Sequence, residues 1–354
     1  MRRALQIGLI VAAVCVAVTP LPRATVERAY SRTVYPAIQP RLTGASNWLP
    51  FALFDVFVGA VVISVAALWI TRLLRRPRGA TLQTIGHLLI NTAAISAFVY
   101  FWFLVAWGLN YQREPLRVQL DFEEDRISTQ ALHELALRSI AELNRLYEPA
   151  HRAGWVDFSQ SRSALDGPFG RAQHDLAMPW RAVAGRPKRS IFDFYFRRVS
   201  VEGMTDPFFL ETLANQSLLP FERSFVVAHE WSHLAGFADE SEANFLAWLI
   251  CLRGAERDQY SSWISLWGTI VSAVPPRDRE ELAGGLQDGP KDDLRAMAER
   301  VARQVNPTAS RAGYAAYDRF LRANRVRAGV RSYSEVLRLM LGTRFNPDGS
   351  PVLR

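Results

Sequence analysis

The stretch Phe225-Val226-Val227-Ala228-His229-Glu230-Trp231-Ser232-His233-Leu234-Ala235-Gly236, with Asp239-Glu240-Ser241-Glu242-Ala243-Asn244 close behind, decides how the chain is read. Residues 221–235 have the apolar spacing of one helix, and Gly236 suits its C-terminal cap. Side chains four apart share a helix face, so the imidazoles of His229 and His233 can reach one ion. Glu230, one residue on, points toward a water on that ion. The apolar neighbours would bury all three polar groups, which is costly unless something partners them. The pattern therefore predicts a zinc site, with His229 and His233 as ligands and Glu230 as the catalytic base.

A second helix is expected over residues 240–253, ending at Gly254. Which acid completes the ligand set is a question of faces. Asp239 suits the N-cap, and Glu242, three residues later, suits a capping box. Glu240 shares its face with Ala243, Asn244, Ala247 and Cys251, short side chains that let this helix approach the first closely. The face of Glu242 carries Phe245, Leu246, Leu249 and Arg253. Glu240 is accordingly the expected third ligand, and Asn244, one turn on, is placed to hold a ligating imidazole by its other ring nitrogen. Asp239 is the second choice, because HExxHxxGxxD runs directly from His229 to Asp239 and resembles the metzincin spacing. Glu242 is the third.

Working outward, the first 110 residues hold three apolar runs nearly free of charge, 4–21, 49–74 and 85–109. Each has the length that crosses a hydrocarbon core of about 30 Å. Residues 1–110 thus read as a membrane anchor of three transmembrane helices, and 111–354 as a mostly helical, zincin-like domain with a small β element. The first run reads as a retained anchor, since no small-x-small cleavage site follows it. Arg2, Arg3, Arg72, Arg75, Arg76 and Arg78 assign the N-terminus and second loop to the cytoplasm, which leaves the C-terminal domain extracytoplasmic. The loop 23–41, with four Arg against Glu27, pulls the other way. Asp55 and His87, near segment ends, read as snorkelling side chains.

At 49% hydrophobic and 21% charged, the 354-residue chain is neither disordered nor collagen-like. Its net charge is +8, but Lys188 and Lys291 are its only lysines and the arginines are scattered among acids. No basic run interleaved with aromatics tracks a phosphate backbone, so no nucleic-acid partner is expected. Cys15 and Cys251 cannot make a disulfide framework.

Within the soluble part, Ser128 is the expected N-cap of a helix over residues 129–147. Residues 148–189 read as loop-rich, 191–201 as a strand and 203–207 as a turn. Residues 211–219 read as an edge strand on which an extended peptide could pair. The rest, to residue 341, is mostly helical. His133 and His151 read as surface residues, and Tyr314 and Tyr317 as core.

Glu240-Ser241-Glu242-Ala243-Asn244 resembles the ExxAD helix of the gluzincin metallopeptidases, whose first Glu binds zinc and whose final Asp orients a ligand His. Here Asn244 stands in place of that Asp, and the gap from His233 is shorter. A second resemblance covers nearly the whole chain. It is carried by three membrane helices, the run Trp107-Gly108-Leu109-Asn110-Tyr111-Gln112-Arg113-Glu114-Pro115-Leu116, Pro207-Phe208 ahead of Glu211, the HExxH block with residues 240–249, and Tyr317-Asp318 with Leu321-Arg322-Ala323-Asn324 near the end. This order resembles a family of bacterial multi-pass membrane proteins catalogued as a domain of unknown function. The resemblance implies a bacterial inner (plasma) membrane protein with a zincin-like site, and brings no substrate. The expected function is that of a membrane-anchored zinc metallopeptidase, acting on a protein or peptide through a zinc-bound water that Glu230 activates. The alternative is a non-catalytic envelope scaffold with a structural or vestigial metal site.

Overall fold

A computed structural model describes residues 2–76, 81–324 and 335–354. Among the described residues the chain is mostly helical, with one three-stranded sheet. Two helices, Leu53–Leu74 and Thr81–Ala106, are long and apolar enough to cross a membrane. The first apolar run is shorter than its composition suggests: it forms the helix Arg2–Val18 and stops ahead of Pro20 and Pro22. It qualifies as a third span only together with the stretch Arg23–Asn47, from which it is bent by 118°. Arg3 lies against His87, Gln6 donates to Asn91, and the Leu21 N–H donates to Gln112. The first helix therefore runs beside Thr81–Ala106 in the same direction. Arg78 lies outside the described residues.

Residues 23–41, expected as a loop, are helical, with π-helical geometry over Glu27–Val34. Their polarity misleads because it is spent on backbone groups of the C-terminal region. The Tyr35 hydroxyl donates to the Leu234 carbonyl at 2.9 Å, and Thr43 donates to Leu210 O at 2.9 Å. Gln39 accepts from Val183 N and donates to Val183 O, while Asn47 does the same with Arg186 N and Ala184 O. A helix that satisfies loop backbone in this way is polar along its buried stripe.

The sheet comprises β1 (Pro187–Lys188), β2 (Gly203–Asp206) and β3 (Glu211–Ala214) in the order β1-β3-β2. β3 is parallel to β1 and antiparallel to β2. β3 is thus the centre of the sheet and β2 an edge, the reverse of the expectation for 211–219 and for the turn at 203–207. Buried Glu211 pairs with Lys188 at 2.6 Å and accepts from Phe54 N at 2.9 Å, which clamps the sheet to the entry of the spanning helix Leu53–Leu74. Asp55 does not snorkel: its carboxylate accepts from Ser190 Oγ and Ile191 N.

Residues 191–201 are not a strand. They form the short helix Asp193–Val199, which ends at Ser200 in the left-handed region (φ 63°). The alternating Phe192, Phe194 and Phe196 imitate a period of two, but Asp193 pairs with Arg197 one helical turn on, and each charge suits its end of the helix dipole. Ser128 caps its helix, Thr129–Ala153, by accepting from Ala131 N. The stretch expected to be loop-rich contains the helix Ser161–Asp175. His151 is partly exposed but engaged: it bonds Asp293 and packs on Tyr147. The core forms where Thr129–Ala153, Arg223–Leu234, Glu240–Leu252 and Glu256–Ala273 meet around buried Trp231, Phe245, Tyr260 and Trp263.

Candidate metal centre

The helix Arg223–Leu234 is buried along nearly its whole length, which its apolar composition requires. It ends in a Schellman turn. Gly236 N donates to His233 O, Phe237 N donates to Ser232 O, and Gly236 takes φ +89°. The tightness of that turn has a chemical result. It aims the Phe237 carbonyl at His233 Nδ1, 2.7 Å away. A Cβ on Gly236 would sit 3.1–3.3 Å from Arg113, Asn110 and Tyr35, besides straining the turn.

Asp239 caps the next helix, accepting from Ser241 N at 2.9 Å. That places Glu240 in its first turn, opposite the two imidazoles. Ligand atoms of His229, His233 and Glu240 all lie within 4.8 Å of one another. The two Nε2 atoms are 3.1 Å apart, and Glu240 Oε2 is 3.2 Å from His229 Nε2 and 3.6 Å from His233 Nε2.

Asn244 Oδ1 accepts from His229 Nδ1 at 2.9 Å, one helical turn on from Glu240 as the face argument expects, and Phe237 O accepts from His233 Nδ1. With a hydrogen on each Nδ1, both Nε2 atoms present lone pairs toward each other and toward a carboxylate oxygen. Glu240 Oε2 is buried and takes no hydrogen bond. Three converging lone pairs in a buried site repel unless a positive charge sits among them. Two imidazole nitrogens and one carboxylate oxygen are a donor set that suits a divalent cation.

The electrostatics agree. Burial disfavours a charged His233, yet the Glu240 carboxylate carries its pKa up to about 9. Burial likewise pushes Glu240 upward, but the two imidazoles hold it well below the ordinary carboxylate range. A proton thus competes for the position a cation would fill. Apparent metal affinity should fall by about tenfold for each unit that pH drops below 9, because His233 must lose its proton to coordinate. Competition with a chromogenic chelator across that range reads the slope, and a flat profile would refute the assignment.

Glu230 is buried, and its pKa is raised by burial against the opposing pull of His229, His233 and the Thr205 hydroxyl. Thr205 Oγ1 donates to Glu230 Oε2 at 2.8 Å. Gly203 lies so close that a Cβ there would be 2.5 Å from Glu230 Oε1. β2 therefore fixes the carboxyl from two sides.

The structure places the other candidate acids elsewhere. Asp239 is occupied as the cap. Glu242 forms no capping box; its carboxyl accepts from Leu116 N at 2.6 Å, and burial, then Asp239, pushes it up to about 8. Sequence reasoning read Tyr317 as core and did not place it at the centre, where its hydroxyl donates to Glu240 Oε1. It also missed Gly203 and Thr205. Tyr317 reaches the centre from 77 residues away, on a helix whose stacked Tyr317 and Phe320 read as ordinary packing. The spanning helix Thr81–Ala106 touches the centre as well. The Trp107 indole N–H, one residue past Ala106, donates to the His233 carbonyl at 3.2 Å.

Asn244→Ala should weaken metal binding by about 10–100-fold, the usual cost of losing a partner that orients a ligand histidine. Titration of the purified protein with metal would show it, and unchanged affinity would mean that Asn244 does not orient His229.

A mostly helical chain with two or three membrane-length helices and a buried His-His-Glu cluster behind them defines the class: a multi-pass membrane protein able to hold a divalent metal. The chain belongs to the family described as "Protein of unknown function (DUF3810)", which matches residues 30–341. No curated protein and no solved structure matches it.

Proposed function

We propose that the protein is a membrane-anchored zinc metallopeptidase of the bacterial inner membrane. Residues 1–110 serve as its anchor, and 111–354 form a zincin-like domain on the extracytoplasmic side. His229, His233 and Glu240 hold Zn2+, and Glu230 is the catalytic base. One observation carries this reading: the two Nε2 atoms and the orphaned Glu240 oxygen converge on one point beside a buried carboxyl of raised pKa. When bound, zinc supplies a Lewis acid that acidifies water and polarises a carbonyl.

The chain's own residues do the rest. Glu230, held by Thr205 and confined by Gly203, takes a proton from the attacking water and can deliver it to the leaving nitrogen. Burial raises its affinity for that proton. Asn244 and the Phe237 carbonyl keep both imidazoles in the tautomer that leaves Nε2 free. β2 is the sheet edge nearest the base, and an extended peptide pairs with its outer side, which lays a scissile bond beside Glu230. A peptide library assayed with purified, zinc-loaded protein tests the reading, and hydrolysis should stop when zinc is chelated. Stoichiometric zinc without hydrolysis would favour a scaffold with a structural metal instead.

Gly203→Ala should lower turnover with metal content unchanged, because the added methyl must displace the Glu230 carboxyl and leaves the three ligands untouched. Parallel measurement of hydrolysis and bound zinc checks it. Equal turnover would show that the base tolerates the shift.

A further inference from the structure

Ile191, Phe194 and Tyr195 are 67%, 66% and 47% exposed. Scattered apolar residues on a surface mean little, but these three stand together on one short element. The opposite face of that element is fully engaged. Phe196 is buried with Ala52 and Leu213, and Phe192 packs edge-on against Phe54. Ala52 and Phe54 flank the first residue of the spanning helix Leu53–Leu74. Asp55, in its first turn, accepts from Ser190 Oγ at 2.6 Å and Ile191 N at 2.8 Å. The exposed apolar face is therefore pinned at the level where a membrane helix leaves the hydrocarbon. Trp48 and Phe51, just before that helix, are exposed as well. Arg189 and Arg198 bracket the element, and both are exposed.

We propose that the helix Asp193–Val199 and its approach from Arg189, together with Trp48 and Phe51, form a shelf that lies on the bilayer surface. Ile191, Phe194 and Tyr195 enter the boundary between headgroups and acyl chains, and Arg189 and Arg198 contact anionic phospholipid headgroups. Aromatic and aliphatic side chains beside arginine are the chemistry of an interfacial element, and continuity with the spanning helix identifies the lipid surface as the occupant. The shelf is tied to the catalytic face by the chain itself: β2 begins at Gly203, four residues beyond Val199, and carries the contacts to Glu230. The Asp193–Val199 helix thus holds that face at the membrane surface.

The test does not depend on catalysis or on metal. In a Cys15→Ser background, with Cys251 buried and unreactive, nitroxides are attached to Ile191→Cys, Phe194→Cys and Leu137→Cys in separate samples. Leu137 is the control; it is 49% exposed on the helix Thr129–Ala153, which packs on Glu256–Ala273. In nanodiscs containing phosphatidylglycerol, the ratio of oxygen to nickel-chelate accessibility should be several-fold higher at 191 and 194 than at 137. Ratios equal to that at 137 overturn the proposal. In pure phosphatidylcholine, or in the Arg189→Glu/Arg198→Glu variant, the ratio at 194 should fall. A ratio that ignores both changes overturns the assignment of anionic lipid.

Discussion

His233→Ala should leave the purified protein with no bound zinc, where the parent chain carries about one per molecule. The size of the effect follows from the site's economy of donors. Among the described residues two nitrogens and one oxygen converge, so removing one imidazole leaves a pair too few to hold an ion that needs at least three protein ligands. A second consequence is thermodynamic. Glu240 is 2% exposed, and its charge is balanced by the imidazoles. Removing one of the two imidazoles that hold this carboxylate ionised should lower the melting temperature, with His229 and Tyr317 still beside it to limit the loss. Metal analysis and thermal melting in detergent read both effects. Retained stoichiometric zinc would place the metal elsewhere and remove the basis of the proposed chemistry.

Glu230→Gln should do the opposite, keeping zinc and losing turnover by a factor of about 10²–10⁴. Glutamine preserves the shape and can still accept from Thr205, so the local packing against Gly203 survives. What it lacks is the ability to take a proton. Zinc content, melting temperature and peptide hydrolysis measured on the same preparation separate the outcomes. Loss of zinc would make Glu230 structural, and undiminished hydrolysis would make another group the base. Together the two substitutions distinguish a catalyst from a scaffold that merely holds metal.

Much of the centre can be read from the sequence because it is local. His229 and His233 are related by one helical turn, and the short side chains along the face of Glu240 announce where two helices approach. Asn244 follows from the same face. What lies beyond local periodicity is less legible. Tyr317 reaches Glu240 through the tertiary fold, and although Tyr317-Asp318 is part of the family resemblance, its local spacing points to packing and not to the centre. Gly203 and Thr205 read as a turn because four residues are too few for alternation to show. The helix Asp193–Val199 was masked by aromatics alternating at a period of two, two of which turn to the spanning helix and one to the outside. The stretch 23–47 has the composition of a loop, since its Gln, Thr and Asn side chains serve the backbone of segments far along the chain.

That last feature bears on how the molecule comes into being. Tyr35 and Leu234 are 199 residues apart, and Gln39 and Thr43 find their partners 144 and 167 residues later. During synthesis the N-terminal stretch emerges long before anything exists for it to grip. It must wait, hydrated, while two further hydrophobic segments are threaded past it. The helix Arg223–Leu234 closes onto it only after some two hundred further residues, at the entropic cost of a long loop that grows slowly with length. Faulty insertion of the first segments would accordingly be felt as a misassembled His-His-Glu cluster about two hundred residues downstream.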